Sequence, residues 1–203
     1  MFNAIRILTS LISLVIVPIR SDHPTASKVV VTGMTATERR ATDEALSLFA
    51  QAGLPLPLLE IRRHHDFDLC NGHEALHRRF GERSIIDICT TEAGDYEQRT
   101  LIHELGHAWT EHFLTGDRKQ AFQDLRGWTS WLDYKQAKWE DNGAEQAAEI
   151  MVWALSPRPV GVVKIGGNSC EDLHDGYVTL TGREPLHGYT KLCKPSVTAA
   201  NRS

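Results

Sequence analysis

The sequence predicts an α+β domain, a small early sheet followed by helices. Three observations carry this. Short apolar runs bounded by turn residues lie before residue 91, segments with apolar residues at helical spacing fill most of the rest, and no internal repeat runs through the chain. With 203 residues, 41% hydrophobic and 24% charged, the chain can bury a single core and is not of disordered composition.

Taken in order, the elements are these. Arg6 precedes an apolar run from Ile7 to Ile19, too short to cross a bilayer comfortably and of the size of a signal-peptide core. Residues 1–27 therefore read as a signal peptide, with Thr25-Ala26-Ser27 as a weak cleavage site, or as an uncleaved membrane anchor; an ordinary apolar helix or strand is the plain alternative. Residues 28–203 read as one domain. Lys28 to Val31 is a short strand. Thr35-Ala-Thr-Glu38 is a capping box that opens a helix with Ala41, Ala45, Leu48, Phe49 and Ala52 on one face. Gly53 stops it, and Pro55 and Pro57 prevent its return. Leu58 to Arg62 is a strand, the polar stretch from His64 to Arg83 a loop, and Ser84 to Thr90 an Ile-rich strand.

Asp95 can cap a helix from Tyr96 to about Thr115, which Gly116 and Asp117 end. A shorter helix begins near Arg118. Trp128 to Trp139 is aromatic and irregular, Asp141-Asn142-Gly143 a turn, and Ala144 to Leu155 a strong helix closed by Ser156-Pro157. Gly161 to Asn168 is a Gly-rich loop. One more short helix follows Cys170, then a loop through Gly182 and Pro185.

Charge and cysteine usage narrow the class of function. A net charge of −4 without a Lys/Arg cluster argues against a nucleic-acid partner. The four cysteines are even in number and lie in two local pairs. Bridges 70–89 and 170–193 would each staple one loop, among three possible connectivities. With the leader, they point to a secreted or membrane-anchored extracytoplasmic protein; four reduced thiols in a cytosolic protein are the alternative.

The residues that carry chemistry are His103-Glu104-Leu-Gly-His107. Histidines four apart on a helix lie one turn apart on one face, so both imidazoles can reach one tetrahedral metal. Glu104, beside the first, can take a proton from a water that the metal acidifies. Leu101, Leu105, Ala108 and Trp109 form an apolar stripe roughly opposite. Gly106 costs about 1 kcal/mol of helix stability relative to Ala, which makes sense where another backbone or the metal shell comes close. The bland alternative is a surface helix with two solvated histidines. A third ligand is still needed. Glu145 and Glu149 stand one turn apart on the later helix, suited to one metal ligand and one acceptor for a ligand His N–H; a solvated Glu pair is the alternative.

These two helices together resemble the gluzincin, thermolysin-like metallopeptidases over His103 to Leu155. The third-His pattern of metzincins is absent, since Thr110 and Phe113 stand in its places. The resemblance implies a zincin-like fold, Zn2+ bound by His103, His107 and Glu145, Glu149 behind a histidine, Glu104 as general base, and a peptide or protein as substrate. Exchange of roles, with Glu149 as the ligand, stays open. The family often adds a His or Tyr that stabilises an oxyanion, for which His174, Tyr177, His187, Tyr189 and Tyr134 are available. Trp128, Trp131, Trp139 and Trp153 are expected to pack around the helices. Two competing readings use the same residues: hydrolysis of a non-peptide amide or ester, and a non-catalytic, zinc-stabilised binding domain.

Overall fold

The computed structural model describes residues 28–89, 95–127, 130–132, 138–158, 165–188 and 193. The predicted leader and its cleavage site lie outside them. Among the described residues four strands form one sheet: β1 (Val29–Thr32), β2 (Leu58–Arg63), β3 (Ala75–Phe80) and β4 (Arg83–Ile88), in the order β1-β2-β4-β3. β1, β2 and β4 are parallel, and β3 runs antiparallel along the edge of β4. Among the described residues five α-helices accompany the sheet: α1 (Ala36–Gln51), α2 (Asp95–Phe113), α3 (Gly116–Arg126), α4 (Gly143–Leu155) and α5 (Cys170–Thr181). This is the α+β arrangement the sequence predicts.

The predicted capping box is present at α1. Thr35 Oγ1 accepts from the Glu38 amide, and the Glu38 carboxylate accepts from the Thr35 amide at 2.7 Å. Glu38 also meets the buried Arg63 of β2 at 3.1 Å, which ties the helix start to the sheet. Ala45 and Phe49 are fully buried, as the periodicity requires, together with Ile61, Ile86 and Ile88 from the facing strands.

The stretch from His64 to Arg83 is not a loop. It holds a 3-10 turn at Phe67–Cys70, capped by Asp66, and then β3. β3 reads as polar because it is an edge strand, where charge blunts unwanted pairing. Its Arg78 pairs with Asp87 of β4 and its Arg79 reaches the Glu111 carbonyl. Gly81 joins β3 to β4 at φ +59°, the first position of a two-residue type II′ hairpin turn.

The α2–α3 boundary also differs from expectation. α2 stops at Phe113, and Thr115 caps α3 by accepting from the Arg118 amide, so Gly116 starts a helix rather than ending one. α4 is buried along its whole length, the pattern of a helix enclosed on all sides. Asn142 caps it, and a 3-10 turn at Trp139–Asp141 leads into it. α5 opens on a second capping box, Ser169 with Asp172. Both predicted disulfides form, Cys70–Cys89 and Cys170–Cys193. No helix of the described residues is long and apolar enough to cross a membrane.

Candidate metal centre

α2 and α4 pack directly against each other, and Gly106 is the reason they can. A Cβ there would lie 3.2 Å from the Ala148 Cα and 3.4 Å from the Met151 side chain. The close approach brings His103 and His107 of α2 against Glu145 and Glu149 of α4. Glu145 and Glu149 are 8% and 1% exposed, so they are not a solvated pair, and the two histidines are not a surface feature either.

The arrangement separates the two acids. His103 Nε2 lies 3.1 Å from Glu145 Oε2 and 3.1 Å from His107 Nε2, and His107 Nε2 lies 3.3 Å from the same Glu145 oxygen. A tetrahedral zinc with ligands at about 2.0–2.1 Å has ligand–ligand edges of about 3.3 Å. The three atoms therefore outline one face of such a tetrahedron, and these residues form a group able to hold a metal ion. Glu149 sits on the other side of the ring, with Oε1 3.0 Å from His103 Nδ1. Arg99, one turn before His103, grips both Glu149 oxygens through Nη2 at 2.8 and 2.7 Å.

Electrostatics make the group a cation trap. Burial pushes the His103 pKa down, but hydrogen bonds to Glu145 and Glu149 and the charge of Glu104 carry it up to about 10. Burial pushes the Glu145 and Glu149 carboxyls up, yet the contacts with the histidines, and with Arg99 for Glu149, hold both below the usual carboxylate range. Two ionised acids thus bracket one imidazole in a largely dry site. The field that keeps a proton there also favours a divalent ion.

Two cavities meet at this point. The larger, about 550 Å³, is lined by Gly72, His73, Arg99 and Thr100 among others. The smaller, about 290 Å³, takes in His77, His107, Trp131, Leu132 and Glu145. His73, Ala75, His103, Glu104 and Trp139 line both. The predicted general base, Glu104, is buried and lines both cavities together with His103.

Three flanking residues are not evident from the sequence. Trp139 is not packed away as expected: it is 46% exposed and stacks on His103, with ring centroids 5.9 Å apart. His77 stacks on His107 at 6.3 Å and points Nε2 at Ser84 Oγ, 2.7 Å away. Burial, with the charges of His107, His112 and Arg79, pushes its pKa down to about 3. Arg99 is the third. Its i, i+4 spacing from His103 is the only sequence signal, and its partner Glu149 is distant in the chain.

Of the other predicted aromatic and oxyanion residues among the described ones, only Trp131 borders a cavity. Trp153 packs in the core, and Trp131 packs edge-on against Phe122. Tyr177 is buried in α5, where burial raises its pKa to about 12, and His174 pairs with Asp175 and Glu184 on the surface. Neither they nor His187 line the cavities. Tyr134, Tyr189 and Trp128 fall outside the described residues. Comparison of the chain with family models, curated proteins and solved structures returns no match.

Proposed function

We propose that this chain is a zinc-dependent hydrolase of peptide bonds, built on the gluzincin pattern and working outside the cytoplasm. The observation that carries the reading is the triangle of His103 Nε2, His107 Nε2 and Glu145 Oε2 on the wall of a cavity that also holds Glu104. Those three residues would hold the metal; an imidazole pair with one carboxylate suits zinc among the common divalent ions. Bound there, zinc supplies Lewis acidity, polarising a carbonyl and making water a stronger acid.

The chain's own residues do the rest. Glu104 takes the proton of the attacking water and returns it to the departing amine nitrogen. Glu149 accepts from Nδ1–H of His103, which fixes that ring with Nε2 toward the other ligands, and Arg99 fixes Glu149 in turn.

The edge strand favours a peptide as substrate. Cys89 donates to the Glu74 carbonyl at 2.7 Å, so alternate residues of β3, from Leu76 on, bond to β4. Ala75, His77 and Arg79 then turn their N–H and C=O groups outward, where an extended chain can add as a further strand. Ala75 and His77 border the cavities, which puts that chain against Glu104. The two disulfides suit an oxidising compartment.

Zinc content and peptide hydrolysis, measured together on the wild type and two variants, test the reading. One zinc per chain is expected in the wild type, its loss in Glu145→Ala, and its retention in Glu104→Gln with hydrolysis down at least about 100-fold. A folded wild-type protein that takes up no zinc would end it. Hydrolysis of small esters and non-peptide amides, with none of peptides, would transfer the same residues to another substrate class.

A further inference from the structure

The larger cavity holds a cation whose hydrogen-bonding capacity is only partly used. Arg99 stands one turn before His103, about 6 Å along the helix axis. Its side chain is 36% exposed and borders the cavity. A guanidinium carries five N–H donors, of which the Nη2 pair serves Glu149. Among the described residues nothing accepts from Nε or Nη1. Apart from His103 of the metal-ligand group, the other strongly charged groups around this cavity, Glu74, Glu104 and Glu149, are acids. Away from the metal-ligand group at His103, Arg99 is therefore the cation in this cavity that an anionic substrate group can meet.

The edge strand gives the direction in which such a group would arrive. A peptide pairing antiparallel with β3 runs from the Arg79 end toward Ala75. The residues just before Ala75, Gly72 to Glu74, line the larger cavity, so the peptide carries its carboxyl end there. An extended residue spans about 3.3–3.6 Å. Arg99 then lies within about one to three residues of a carbonyl placed beside Glu104.

We infer that Arg99 is a specificity residue that anchors a carboxylate of the peptide substrate, so that the enzyme trims chains from their free carboxyl end. This rests on the peptidase reading above. The carboxylate could come from the chain terminus or from an acidic side chain near it, and Arg99 would receive either by the same chemistry. The terminus is favoured because the cavity admits the peptide's leading end.

The test uses N-acetylated heptapeptides in three forms: free acid, carboxyl amide, and carboxyl amide ending in Glu. Products are read by mass spectrometry. Removal of one to three residues from the free acid, at least ten-fold faster than from the plain amide, is expected. In Arg99→Gln, loaded to one zinc per chain with excess zinc, that preference should fall toward unity. If the Glu-ending amide is cut as well as the free acid, the anchor stands and its ligand is any nearby carboxylate. Equal cleavage of free acid and amides by the wild type would overturn the proposal and leave the peptidase reading intact. So would a preference that survives in Arg99→Gln.

If no peptide is cut, the peptidase reading fails, and binding decides the anchor on its own. Isothermal titration of zinc-loaded Glu104→Gln protein should then show tighter binding of the free acid than of the amide. The wild-type comparison and this binding measurement hold even if Arg99→Gln proves unable to fold.

Discussion

Glu145 and Glu149 have the same side chain one turn apart, and the ring of His103 assigns them different work. Glu145 faces Nε2, on the side of the three converging atoms; Glu149 faces Nδ1, where it would accept an N–H once Nε2 held a metal. Glu149→Ala should therefore weaken zinc binding by about 10- to 100-fold without abolishing it, against full loss in Glu145→Ala. Competition titration with a chelator of known affinity measures this, and equal loss in the two variants would contradict the assignment.

A pH dependence follows from the same atoms. The metal-free His103 pKa, about 10, lies above its ordinary 6.5, so the proton there stabilises the metal-free fold fully below about pH 6.5. That contribution fades as pH rises toward 10. Glu145 and Glu149 have lowered values, so their contribution is present above 4.5 and is lost as pH falls below it. Zinc bound at the proposed site would displace the His103 proton. The rise in Tm on adding zinc should accordingly be larger at about pH 9 than at about pH 6, as differential scanning calorimetry can show. A rise independent of pH would mean that His103 is not the displaced group.

Gly106 decides whether α2 and α4 can meet. Adding a methyl improves helix propensity by about 1 kcal/mol but sets a Cβ 3.2 Å from the α4 backbone at Ala148, which cannot swing aside as a side chain would. Overpacking of this kind costs about 1–3 kcal/mol. Gly106→Ala should thus destabilise the protein on balance and weaken zinc binding, because the same displacement moves Glu145 from the histidines. Thermal unfolding and zinc titration check the two effects, and an unchanged or higher Tm would refute the close-packing argument.

The sequence is a good guide to these helices because their signals are local. Thr35 with Glu38, the His103–His107 spacing and the pairing of Glu145 with Glu149 can each be read within one turn. β3 escaped such reading because an edge strand keeps polar side chains, and its pairing with β4 is a tertiary event. Thr115 escaped because Gly116 looks like a helix stop, although the Thr–Gly–Asp run caps a new helix as readily as it ends the old one. At the site, Trp139 and His77 come from segments far from His103, and no local pattern places a ring against it.

The two disulfides hold different parts of the molecule, and their removal should separate stability from function. Each closes a loop of similar length, with sequence separations of 19 and 23, so each is worth about 3 kcal/mol by chain-entropy reasoning. Cys70–Cys89 joins the turn before β3 to the residue after β4. Gly72, His73 and Ala75, which border the larger cavity, lie inside that loop. Cys170–Cys193 fastens the start of α5 to the C-terminal segment and borders neither cavity. Replacing either pair with serines should lower the denaturant midpoint by a comparable amount. Only the Cys70→Ser/Cys89→Ser protein should also show a raised KM toward peptides, since it alone frees the rim against which a substrate would lie. Urea titration and steady-state kinetics on the two double variants make the comparison. A raised KM in both would mean that the C-terminal bridge also shapes the cavity, and an unchanged KM in both would remove the rim from the substrate's path.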